Sequence, residues 1–132
     1  MKTFKINAGE IDVVLNDDRL VLKPTIRAAT TISRQFNGFA EARRMLVAEN
    51  FDSVVSVLRL GLNLSDNDAR GRGLPPNHQS IEDRVYQNGI TAELLIPLIK
   101  YVAVLGNGGR PLPDEPEDSA GNEMSEIQEK NG

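Results

Sequence analysis

The stretch Leu22-Lys-Pro-Thr-Ile-Arg-Ala-Ala-Thr-Thr-Ile-Ser-Arg-Gln-Phe-Asn-Gly38 joins an apolar strand to a helix through a proline and closes that helix at a glycine. Pro24 pushes Lys23 towards extended backbone, and Thr25 is placed to cap the helix that follows. Ile26, Ala29, Ile32, Ser33 and Phe36 then recur at helical spacing, and Gly38 supplies the stop. A strand-to-helix joint this early in the chain predicts a sheet at one end of the sequence and helices after it.

Upstream, Ile11-Asp-Val-Val-Leu-Asn16 and Arg19-Leu-Val-Leu-Lys23 flank Asn16-Asp-Asp-Arg19, whose Asx residues suit a tight turn. The three segments read as a β-hairpin. Phe4 and Ile6 alternate with Lys5 and Asn7, which suggests a further strand, separated from the hairpin by Ala8-Gly9.

Downstream, Phe39, Ala42, Leu46 and Val47 share one face of a second helix that stops near Asn50. Val54, Val55, Leu58 and Leu62 form the stripe of a third, with Asp52 favouring its start through the helix dipole. The run from Asn63 to Gln79 holds Gly71, Gly73, Pro75 and Pro76 without periodicity and reads as an exposed loop. Ser80-Ile-Glu-Asp83 resembles a capping box opening a fourth helix, with Ile81 and Val85, that ends at Asn88-Gly89. Thr91 caps a fifth, in which Leu94 to Leu105 is apolar around most of its circumference and Pro97 is expected to bend the axis. The expected fold class is therefore α+β, with an N-terminal hairpin of two or three strands and about five short helices.

With 132 residues the chain has the size of one domain. It has no cysteine, which excludes disulfides and thiolate metal sites. The amino terminus lacks the continuous apolar core of a signal peptide, and no apolar run reaches the roughly 18–20 residues a membrane helix needs. A soluble protein with no membrane partner is expected. The net charge of −4 is concentrated at the end: residues 107–132 carry seven Asp and Glu against Arg110 and Lys130, while residues 1–106 hold 12 acids and 13 bases. Two regions follow, a single α+β domain over 1–106 and a disordered acidic tail over 107–132. A near-neutral body lacks the basic excess that drives binding to phosphate backbones, so nucleic acid is not an expected main partner.

Catalytic and ligand motifs are sparse. His78 is the single histidine and has no serine motif near it, which leaves neither a nucleophile with its base nor a zinc site. Asp66, Asn67 and Asp68 suggest calcium, with Gly71 at the sixth position as the EF-hand requires, but Asn77 stands where the bidentate glutamate belongs. Gly71-Arg-Gly73 and Gly106-Asn-Gly-Gly-Arg110 complete no phosphate-binding pattern and read as flexible connections. Arg43 with Arg44, and Arg70 with Arg72, lack interleaved aromatics. Arg110-Pro-Leu-Pro-Asp-Glu-Pro116 has polyproline-ligand spacing, but a Pro-rich linker accounts for the same residues. No catalytic residue, metal or cofactor is assigned.

The order of Gly9-Glu-Ile-Asp-Val-Val-Leu15, Leu20 to Leu22, Pro24-Thr-Ile-Arg-Ala28, Phe36-Asn-Gly38 and Gly61-Leu62 resembles the tail assembly chaperones of phages and gene transfer agents. The resemblance covers roughly residues 9–105. The loop from Asn63 to Gln79 is longer than that family suggests, and Pro97 interrupts the last helix. What the resemblance implies is a non-enzymatic helper in the host cytoplasm. It would bind the helical tape-measure protein, keep it soluble and bring tail-tube protein to it, with homo-oligomers an accompanying expectation. A client of long apolar helices calls for apolar faces on the helper. Val54, Leu58 and Leu62, with Leu98, Val102 and Leu105, are the candidate partner-binding residues, and the domain's own core is the competing reading for each. The acidic tail would serve as a solubilising arm. Alternatives are a structural tail protein, of the tube or a minor component, and a small nucleic-acid or regulatory module using Arg70 and Arg72.

Overall fold

The computed structural model describes residues 8–63 and 80–113. Two antiparallel strands, β1 (Ile11–Leu15) and β2 (Asp18–Leu22), precede five helices: α1 (Ile26–Phe36), α2 (Phe39–Val47), α3 (Phe51–Gly61), α4 (Ile81–Asn88) and α5 (Ala92–Gly106). The α+β class with an N-terminal hairpin is as the sequence predicts. The expected strand over Phe4 and Ile6, the loop from Leu64 to Gln79 and the acidic segment from residue 114 lie outside the described residues.

Leu15 pairs with Asp18 across a two-residue loop in which Asn16 and Asp17 are left-handed, at φ 52° and 68°. Both angles are positive, as in a type I′ turn, whose twist matches that of the strands it joins. Alternation then sorts the hairpin. Ile11, Val13, Leu15 and Leu22 are buried on the inner face, while Asp12 and Val14 turn outward with Arg19 and Val21. On that outer face Arg19 Nε donates to Asp12 at 2.8 Å.

Four of the five helices begin at a polar cap. Thr25, Asn50, Ser80 and Thr91 accept from the backbone N–H three residues on, at the starts of α1, α3, α4 and α5. Asn50 is thus the cap of α3 rather than only the limit of α2. The left-handed residue that ends α1 is Asn37, at φ 61°, and Gly38, at φ 116°, opens α2 directly.

α5 is the central helix. It packs on β1 and α2, and also against α3 and α1, so most of its apolar surface is covered by the domain itself, with Ile96 left exposed. Leu94, Leu95, Leu98, Tyr101, Val102, Val104 and Leu105 are buried on it. The helix continues through Pro97 to Gly106; a proline removes one N–H, and here that leaves only the Glu93 carbonyl without its intrahelical donor.

Two faces differ from the amphipathic reading. Ile26 is 83% exposed and Val47 65% exposed, because each stands in the terminal turn of its helix, past the edge of the core. In α1 the buried positions are Ala28 and Ile32.

The described body continues past residue 106. Gly109 N–H donates to Val104 O at 2.9 Å, and the Asn107 side chain donates to the Arg110 and Pro111 carbonyls at 3.2 and 3.0 Å. Leu112 packs against the core. Gly106-Asn-Gly-Gly-Arg110 is therefore a built turn that caps α5, with Gly108 and Gly109 at φ 76° and 77°. Three of its amides, those of Asn107, Gly108 and Gly109, are turned back onto helix carbonyls rather than outward towards a ligand.

Candidate functional site

The residues named as partner contacts are core residues. Val54, Leu58, Leu98 and Val102 are wholly buried, Leu105 is 4% exposed, and Leu62 is partly buried against the same cluster. The stripes of α3 and α5 face each other and the inner side of the hairpin, so each supplies the apolar surface the other needs. For the buried members of this set the domain's own core accounts for the apolar stripe, while Leu62 keeps part of its surface in solvent.

At the joint, the residues of the opening stretch meet α3 and α5. Lys23 N–H donates to Gly61 O at 2.8 Å. The Lys23 carbonyl accepts from Thr25 N–H at 3.0 Å and from the Tyr101 hydroxyl at 2.7 Å. Both backbone groups of one exposed lysine are thereby satisfied while its side chain stays in water. Burial of Tyr101 raises its phenol well above the ordinary value, because the phenolate would have to lose its hydration. A side chain at Gly61 is disfavoured on packing grounds. A Cβ at this position would lie 2.8 Å from Leu22 Cδ2 and 3.2 Å from Tyr101 Cε2. The glycine at the end of α3 thus has a physical cause: Leu22 of the hairpin and Tyr101 of α5 approach it so closely that a Cβ would force them to shift.

At the other end of the hairpin stands a polar cluster that helical spacing alone does not reveal. Arg84, in the middle of α4, is 2% exposed. Its Nε donates to Asn16 Oδ1 at 3.0 Å, and one terminal nitrogen donates to the Leu15 carbonyl at 3.1 Å and pairs with Asp18. Asn88 Oδ1 accepts from Asn16 N–H at 3.0 Å. A guanidinium carries several donors in one plane, which suits a turn that offers a carbonyl, an amide oxygen and a carboxylate together. The available signal was the excess of polar turn residues in Asn16-Asp-Asp18, but nothing in α4 marks Arg84 as their partner.

Outside the core, the exposed large apolar residues among the described residues are Val14 on β1, Ile26 on α1, Val47 on α2, Tyr86 on α4 and Ile96 on α5. Between α1 and α2 lies an open groove of about 410 Å³ lined by Ala29, Thr30, Ser33, Arg34 and Phe39. It offers an aromatic ring, two hydroxyls and a guanidinium. Gly106 of α5 lies beside the ring, where a Cβ would come to 3.4 Å from Phe39 Cδ2. On the exposed surface of α2, Arg44 Nε donates to Glu41 at 3.0 Å, and this hydrogen bond lowers the Glu41 carboxyl below its ordinary value.

Among the described residues, no three His, Cys, Asp or Glu side chains come together as a metal site. His78, Asp66, Asp68, Gly71-Arg-Gly73, Arg70 and Arg72 lie outside the described residues. No described helix is long and apolar enough to cross a membrane. Comparison with protein families, with curated proteins and with solved structures found no match to this chain.

Proposed function

We propose that this protein is a tail assembly chaperone of the phage and gene-transfer-agent type, a non-enzymatic helper that binds a tape-measure protein and assists assembly of the tail tube. The observation that carries the reading is the run of residues that prompts the resemblance. Gly9, Leu22, Pro24, Thr25 and Gly61 are the positions where the hairpin, α1 and α3 are fastened together, so the likeness lies in the pattern that builds the fold. It does not lie in surface composition, which varies freely.

On this reading the client contacts cannot be the stripes of α3 and α5, which are spent on the core. They fall on exposed apolar side chains and on the groove between α1 and α2, where Phe39 and the aliphatic parts of Ala29 and Thr30 suit an apolar helix, and Arg34 suits a carboxylate at its edge. The domain folds around its own core, and the client adds to its surface.

Co-expression with a phage-type tape-measure protein tests the reading. A soluble complex, and a larger soluble fraction of the tape-measure protein, are expected. Absence of both overturns it. A near-stoichiometric amount of this chain in purified particles, found by mass spectrometry, would favour the structural tail subunit instead. Thr30→Arg, which fills the groove from an exposed position, should weaken the complex at least tenfold with the unfolding midpoint unchanged.

A further inference from the structure

Two helices turn faces of opposite charge to solvent, and the two faces are built to one plan. We propose that the α1 face of one copy of this protein docks against the α4 face of the next, a head-to-tail contact between copies of the chain. The inference does not rest on the assembly reading.

On α1, Ile26, Arg27, Thr30 and Arg34 are exposed and, at the pitch of an α-helix, fall within about 100° of its circumference. The Thr30 hydroxyl donates back to the Ile26 and Arg27 carbonyls at 3.0 and 3.1 Å, which leaves its methyl group to the surface. The face is therefore an aliphatic strip, Ile26 and Thr30, edged by two guanidiniums. Among the described residues no carboxylate pairs with either guanidinium. Helix formation does not account for Arg27. It stands in the first turn, where the helix dipole favours an anion, and that turn contains no acidic residue.

On α4, Glu82, Asp83 and Tyr86 are exposed and span a similar arc, with Tyr86 between the two carboxylates around the helix. The tyrosine is 81% exposed. The one cation of this helix, Arg84, is turned inward to the tip of the hairpin, so it does not neutralise Glu82 and Asp83.

Two cations edging an aliphatic strip complement two anions edging an aromatic ring. Laying Tyr86 on Ile26 and the Thr30 methyl covers apolar surface on both sides and brings Glu82 and Asp83 to the arginines. A carboxylate arriving at Arg27 also meets the positive end of the α1 dipole. Within one copy the faces do not meet, since both are open to solvent and α1 and α4 each pack on α3. A second copy is the occupant because one chain carries both halves of the contact. Unlike faces make the contact heterologous, so every pair keeps one free face of each kind, and copies can add into a ring or an open chain. Two short helices bury less than the ~1,200 Å² of a stable complex, which makes the association weak and sensitive to salt.

Sedimentation velocity on the full chain, from ~10 μM to ~1 mM, tests the contact. In low salt the mean mass should rise with concentration beyond that of a dimer, and in ~0.5 M salt it should return to that of the monomer. Arg27→Gln with Arg34→Gln should weaken association at least tenfold, and Glu82→Gln with Asp83→Asn should do the same. An equimolar mixture of the two variants should give a dimer and nothing larger, because one intact α1 face and one intact α4 face remain to meet. Far-UV circular dichroism equal to that of the unaltered chain shows that each variant is folded. A chain that stays monomeric at ~1 mM in low salt overturns the proposal. So does a mixture that stays monomeric, the mark of a two-fold contact, and so does undiminished association in either variant alone, which would assign the other face a different partner.

Discussion

At the base of the hairpin, the Lys23 backbone is held by a helix carbonyl and a tyrosine hydroxyl, packed against a glycine. At its tip, the turn is held by a buried arginine. The base is neutral and fits by shape: Gly61 has no side chain, so Leu22 and Tyr101 come within contact distance of it and the Tyr101 hydroxyl reaches the Lys23 carbonyl. The tip cannot be fastened that way. Asn16, Asp17 and Asp18 offer oxygens rather than methyl groups, and the Leu15 carbonyl is buried beside them. An unsatisfied buried carbonyl costs about 1–3 kcal/mol. A charged donor spanning several acceptors is the solution there, at the cost of removing a guanidinium from water. One sheet only five residues long in each strand is thus anchored to helices by two unlike devices.

Substitutions can break this comparison, and the largest effect is expected at the tip. Arg84→Ala removes the donors, leaves a cavity and orphans the Leu15 carbonyl; a loss of about 4 kcal/mol is expected, read as a shift of the urea midpoint. Gly61→Ala forces a methyl group against Leu22 and Tyr101 and should cost about 2 kcal/mol, with no dependence on salt. Asp18→Asn keeps the shape of the tip and removes its charge. Because the Asp18 side chain is 43% exposed, the loss should be near the lower end for a charge-assisted bond, about 1.5 kcal/mol, and it should shrink as salt is added. If Gly61→Ala proves salt-sensitive and Asp18→Asn does not, the division into a shape-fitted base and an ionic tip is wrong.

The smallest expected effect is Tyr101→Phe, about 1 kcal/mol for the lost bond to Lys23 O. It has its own pH signature. A folded-state phenol raised above its unfolded value of about 10 contributes stability that is complete below that pH and declines as the pH rises towards the folded value. Unfolding midpoints taken from pH ~9 to ~12 should fall for the unaltered chain, and the part of that slope due to Tyr101 should be missing in Tyr101→Phe. Equal slopes in the two proteins would remove Tyr101 from the account.

The sequence exposes the base far better than the tip. Pro24, Thr25, Gly61 and the caps at Ser80 and Thr91 act through local rules of backbone conformation, so a reader of the chain finds them one residue at a time. Arg84 obeys no local rule. Its partners Leu15, Asn16 and Asp18 lie 66 to 69 residues earlier, and an arginine in an amphipathic helix reads as exposed until the turn is brought against it. The stripes of α3 and α5 mislead for a related reason. An apolar stripe says that something covers it, and only the packing of α3, α5 and the hairpin shows that the cover is internal. Ile26 and Val47 err in the opposite sense, since periodicity carries on into terminal turns after the core has ended.

The packing of Gly9 beneath the Gly109 carbonyl means that the described body begins and finishes at one spot. Ends that meet in this way are the usual condition for circular permutation. A short linker from the turn after α5 to Ala8, with new termini opened elsewhere on the surface, should leave the joint at Lys23 and the latch at Arg84 untouched.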